Sequence, residues 1–238
     1  MPVEKSASQI AVGKRFEKML RSRGPGRDDR LIRDEIEVAV RDLDQEFPPP
    51  SLEHCEANER LMRAYVRTKQ HDKACEVAGR TVQYLRDLNH TTGDFYYEAL
   101  TSWAEKLLHV KDFVTVEELF SYEIPKTKTW KAESAHSLFR FLNTQFHYYR
   151  LKGDFDAATT SYIRVMELGI AAWGPGHSQY WAIAMGYVSV LMEAQKYDEA
   201  AIEWEKAISE ARKNKVVEDY ILESSQSQLD SLKAQLGI

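Results

Sequence analysis

Gln195-Lys196-Tyr197-Asp198-Glu199-Ala200 is the stretch on which the fold turns. Three other segments match it. They are Gly153-Asp154-Phe155-Asp156-Ala157-Ala158, Lys69-Gln70-His71-Asp72-Lys73-Ala74, and Val110-Lys111-Asp112-Phe113-Val114-Thr115-Val116 taken from its second residue. Each ends on a small or branched residue. These endings fall at 74, 116, 158 and 200, a constant step of 42. One more step back reaches Ile32. Self-similarity at a fixed period of this size marks a repeat architecture, in which each unit buries its apolar face only against its neighbours.

The residues after each anchor keep the phase. Four positions on stand Ile36, Ala78, Phe120, Tyr162 and Trp204, and three further stand Ala39, Thr81, Glu123, Val165 and Ala207. Steps of four and three place them on one helix face. The helix before each anchor has its own stripe. It reads Phe16, Met19, Leu20; Leu61, Met62, Tyr65; Leu100, Trp103, Ala104, Leu107; Leu142, Phe146, Tyr149; and Ala184, Tyr187, Val188, Leu191. The pattern predicts an all-α chain of helix pairs. First helices run over 5–22, 52–69, 92–109, 129–151 and 177–195. Second helices run over 28–46, 71–89, 112–124, 154–172 and 197–214. A last helix covers 216–236. Breakers stand at the expected turns: Gly24-Pro25-Gly26, Pro48-Pro49-Pro50, Ile124-Pro125 and Gly174-Pro175-Gly176. Ser51 is placed to cap the helix that follows the three prolines.

Bulk properties narrow the class. Hydrophobic residues at 43% and charged residues at 29% suit a folded chain rather than a disordered one. The net charge of −5 and the lack of a long basic run argue against nucleic acid and anionic membrane as partners. No apolar stretch approaches the roughly 20 residues that cross a bilayer, and Met1 to Gln9 lack a signal-peptide core. Two cysteines, Cys55 and Cys75, suit free thiols in a reducing compartment. The expectation is a soluble, cytoplasmic protein.

The repeat resembles the tetratricopeptide family in its 42-residue variety, carried by kinesin light chains and Pins-type polarity adaptors. Gly174-Pro175-Gly176-His177 through Ala211 is similar to the "G-P-x-H … Y … G-K-Y-x-E-A … A" unit of those proteins. It supplies Tyr187, Gln195-Lys196-Tyr197, Glu199-Ala200 and Ala207. Leu142-Asn143, Gly153-Asp154-Phe155 and Ala158 form the next best unit. There are departures. Val116 and Glu123 stand where small residues are usual, Pro125 shortens its helix, and Ala78 replaces a large residue. Arg27-Asp28-Asp29 stands in place of the glycine-aromatic turn of the first unit. The resemblance implies a right-handed superhelical solenoid of about five helix pairs. Residues 5–46 form a divergent pair or cap, 52–214 form four repeats, and 216–236 form a capping helix.

The resemblance also implies a concave face, lined by first helices, that holds an extended peptide or a partner helix. Off the apolar stripes, the rows are Glu59, Arg63 and Arg67; Thr101, Glu105 and Leu108; Arg140, Asn143, His147 and Arg150; and Met185, Ser189 and Met192. Asn143 matches the family asparagine that bonds a peptide backbone. Arginine forks suit carboxylates, so a peptide with acidic groups or a free C-terminus is expected. The bland reading keeps these as solvated helix residues and Met185 and Met192 as core.

The sequence shows no enzyme signature. The glycine-proline turns lack the lysine and serine or threonine of a phosphate loop, and no Cys-x-x-Cys or His-Glu-x-x-His appears. His54 and Cys55 point in different directions on a helix. His136 and His147 lie about three turns apart. No acid, base and nucleophile set emerges, so no enzyme and no cofactor is expected. Beside the adaptor stand two alternatives: a structural subunit of a larger assembly or homo-oligomer, and a receptor for a small signalling peptide.

Overall fold

The structure is a computed structural model, and it describes residues 28–46, 49–125, 135–174 and 177–237. Among these residues every regular element is helical. In order the helices are α1 (Asp29–Glu46), α2 (Leu52–Arg67), α3 (His71–Asp87), α4 (Asp94–His109), α5 (Phe113–Glu123), α6 (Ala135–Lys152), α7 (Phe155–Trp173), α8 (Ser178–Glu193), α9 (Tyr197–Asn214) and α10 (Asp219–Leu236). The expected helix over 5–22, the glycine-proline turn at 24–26 and the stretch 129–134 lie outside the described residues. Two compact units divide the chain, one ending at Glu117 and one starting at Glu118.

In the first unit, α1 packs on α2, α2 on α3 and α3 on α4. Its core joins Ile36, Val40 and Leu43 of α1 to Leu61, Met62 and Tyr65 of α2 and to Ala74, Val77 and Ala78 of α3. Gly79 lets α4 come close to α3: a Cβ there would meet the Trp103 indole at 3.0 Å. In the second unit, α6 packs on α7, α7 on α8, α8 on α9 and α9 on α10. Phe120 inserts its ring beside Phe141 and Tyr148, with centroids 5.4 and 5.6 Å away. Tyr162 stacks flat on Tyr187 at 3.7 Å. Trp204 donates its indole N–H to Ser225 Oγ at 2.7 Å, a buried bond between α9 and α10. The outer side of α10 carries Glu223, Ser224, Ser227, Gln228 and Ser231.

The period is written into the core. Ala74, Val116, Ala158 and Ala200 are all fully buried. Ala78, Phe120, Tyr162 and Trp204 four positions on are buried as well, and so are Thr81, Glu123, Val165 and Ala207 three further. Ile36 is buried in phase, while Ile32 is only partly so. Burying a carboxyl at 123, where its equivalents are Thr, Val and Ala, departs from the pattern without breaking the helix.

The turns repeat too. Lys69, Lys111, Gly153 and Gln195 stand 42 residues apart and all have positive φ, at 59°, 61°, 76° and 59°. The next residue in each turn reaches back over the helix end. Gln70 N donates to the Tyr65 carbonyl, Asp112 N to Leu107, Asp154 N to Tyr149 and Lys196 N to Leu191, all at 2.9–3.0 Å. This is the Schellman ending, whose left-handed residue favours glycine. Only one of the four is glycine; the others hold an L side chain in a conformation costing roughly 1–2 kcal/mol. Nothing lies within 4 Å of a Cβ added at Gly153, so Gly153→Ala meets backbone strain alone. It should lower stability by about 1 kcal/mol. A urea melt would show this as a lower midpoint at unchanged slope; an unchanged midpoint would mean that the turn relaxes.

Candidate row on the first helices

One position of each described first helix points to solvent. Arg63, Glu105, His147 and Ser189 are 42 residues apart, and all four are exposed. One turn earlier stand Glu59, Thr101, Asn143 and Met185. Glu59, Asn143 and Met185 are half-buried. Thr101 corrects the expectation: it is only 1% exposed, and its hydroxyl donates to the Tyr97 carbonyl at 2.7 Å. A β-branched residue bonded to its own helix one turn back cannot line a groove.

In the second unit the row runs along α6 and α8. Arg140 and His147 are exposed on either side of Asn143. The Asn143 amide makes no hydrogen bond within the described residues, which leaves its donors and its acceptor available. The His147 ring lies 5.2 Å from Phe146. Loss of hydration, then the Arg150 charge, pushes its pKa below the ordinary histidine value. Arg150 is not open. Its Nε donates to Glu193 Oε2 at 3.0 Å and its Nη2 to Oε1, a two-pronged grip from α6 to α8. The shared hydrogen bond raises the pKa of Arg150 and lowers that of Glu193. Ser189 Oγ donates to the Met185 carbonyl at 3.1 Å.

In the first unit, Arg63 and Glu59 form an ion pair one turn apart on α2. Arg63 and Arg67 line a cleft of about 320 Å3 with Arg60, which does not stand out in the sequence except through the i, i+3, i+7 spacing of the three arginines. Glu105 is exposed on α4.

His54 and Cys55 lie in the packed interior. His54 is buried, with Ser51 Oγ 2.7 Å from its Nδ1 and Asp44 Oδ1 3.3 Å from its Nε2, the latter a charge contact rather than an aligned hydrogen bond. Burial holds its pKa below the usual value, against the opposing charge of Asp44. Ser51 Oγ also accepts the His54 N–H as the cap of α2. Burial pushes the Cys55 thiol up to about 12, which removes the thiolate a nucleophile would need. Among the described residues no three histidine, cysteine or carboxylate groups are gathered as a metal would require. No described helix is long and apolar enough to cross a membrane.

The fold is a tetratricopeptide-like helical repeat. Solved structures share this fold. The TPR-like repeats of a Podosopora anserina kinesin light chain superpose with a TM-score of 0.66 at 14% identity, covering 87% of this chain and 97% of that one. BtubC (BKLC) from P. vanneervenii gives 0.65 at 12% identity, over 95% and 85%. A signal-transduction ATPase from Pyrococcus horikoshii with a tetratricopeptide repeat sensor gives 0.60 at 14% identity, over 99% of this chain and 38% of that one. No family model matches the sequence, and no curated protein matches it.

Proposed function

We propose that this chain is a non-enzymatic cytoplasmic adaptor that holds a peptide or helix of a partner protein against its first helices. Residues 52–214 act as four repeats, and α10 closes their end. The observation that carries the reading is Asn143: a half-buried amide with no hydrogen-bond partner among the described residues, set between exposed Arg140 and His147. A side chain so placed can both donate to and accept from a peptide backbone. Met185 and Ser189 offer further contacts in the same unit, and Arg63 and Glu105 form a row of their own in the other. The exposed Arg140 suits an acidic side chain or a terminal carboxylate. Arg67 belongs with it on the same grounds, whereas Arg150 serves by holding α8 in place through Glu193.

The test is comparative capture. The immobilised full chain and an Asn143→Ala/His147→Glu variant are exposed to the same lysate, and retained proteins are identified. Proteins enriched on the natural chain should fall at least tenfold on the variant, with the melting temperature unchanged. Equal retention on both would end the assignment to this row.

A further inference from the structure

Three arginines climb one side of α2. Arg60, Arg63 and Arg67 follow at spacings of three and four, which keeps them on a single face over two turns. All three line the 320 Å3 cleft, together with Glu59 of α2 and Asp29 and Ile32 of α1. That volume has room for about ten waters, more than a bare ion fills.

The three differ in how they are satisfied. Arg63 is held by Glu59. Arg67 is exposed and takes no ion pair among the described residues. Arg60 Nη1 is shut off from water and has no hydrogen-bond partner. That nitrogen is closed to the cleft, so an anion there would meet the other nitrogens of the half-buried Arg60 guanidinium, which takes no ion pair among the described residues.

Asp29 and Ile32 belong to the first turn of α1. Asp28 takes the Arg30 N–H there through Oδ1 at 2.9 Å and the Ile32 N–H through its carbonyl at 3.2 Å. The positive end of the helix dipole offsets the Asp29 carboxylate, as Arg63 offsets Glu59. Arg60 and Arg67 remain, with two positive charges and two forks. One carboxylate satisfies only one fork. A phosphoryl group brings about −1.5 to −2 charge and three acceptor oxygens, enough for both.

We propose that the Arg60–Arg63–Arg67 cleft binds the phosphoryl group of a phosphorylated side chain on a partner protein. The phosphoryl chemistry stands on the cleft alone; only its attachment to a protein rests on the adaptor reading.

The purified full chain is titrated with O-phosphoserine, inorganic phosphate and glutamate by calorimetry, and melted in each at ionic strength matched with sodium chloride. A ligand that binds only the folded state raises the melting temperature with its concentration, and matched salt removes general screening. O-phosphoserine should bind saturably and raise the melting temperature beyond the salt control. Affinity should drop at least tenfold in Arg60→Gln and in Arg67→Gln, and stay unchanged in Arg212→Gln, an exposed arginine of α9. Arg67 is exposed, so Arg67→Gln carries the comparison if Arg60→Gln does not fold. No saturable binding by the natural chain, undiminished binding by Arg67→Gln, or glutamate binding as tightly as O-phosphoserine would each overturn the proposal. Binding of inorganic phosphate without O-phosphoserine would overturn the side-chain assignment. No partner enters this measurement, so its failure is separable from failure of the capture experiment.

Discussion

Phe120→Ala should lower the stability of the protein by about 3–5 kcal/mol. The ring is 2% exposed and sits between Phe141 and Tyr148, both fully buried. Truncation removes the transfer free energy of the ring and leaves a cavity whose walls are two other rings, which close poorly over a gap. Phe120→Leu keeps most of the volume and should lose under half as much. Urea unfolding followed by circular dichroism measures both. If Phe120→Ala stays within about 1 kcal/mol of the natural chain, a value typical of average substitutions, then α5 is not packed on α6 as described.

Trp204→Ala should cost a similar amount, about 3–5 kcal/mol, for a second reason besides area. The indole N–H donates to Ser225 across α9 and α10, and both residues are buried. Ser225→Ala isolates the polar part. It leaves the N–H dehydrated and unpaired, a loss of about 1–3 kcal/mol. Measured together, the two single variants and the double variant form a cycle. The double variant should lose less than the sum of the singles, because removing the indole also removes the orphaned donor. Strict additivity would mean that the bond contributes nothing and that α10 adheres through Leu222, Leu229 and Leu232 alone.

The period made most of the architecture legible. Ala158 and Ala200 are weak signals singly, yet their step of 42 predicts burial, and Val116 is buried in phase although it is not small. What periodicity could not reach was set by distant or continuous contacts. Arg150 reads as an open fork because its partner, Glu193, lies on another helix with no local cue. Thr101 reads as polar and outward. Tyr96, Tyr97, Leu100, Ala104 and Leu107 are all buried on α4, a stripe wide enough to take in the position between Leu100 and Ala104. Arg60 escapes the periodic reading because it falls one position off the row that repeats. The exposed series Arg63, Glu105, His147 and Ser189, by contrast, was predictable residue by residue. It depends only on helix phase and not on what each side chain meets.

The left-handed turns at Lys69, Lys111, Gly153 and Gln195 bear on how the chain meets proteases. A protease must draw several residues of extended backbone into its cleft. Here the reversal between helices takes only three residues or so, and the N–H after each left-handed residue is already bonded to the helix behind it. Cutting at these points therefore requires the end of a packed helix to unwind first, an opening drawn from the more stable part of the range that local unfolding spans. Such turns, though they lie where loops normally invite nicking, are guarded by the same bonds that close the helices.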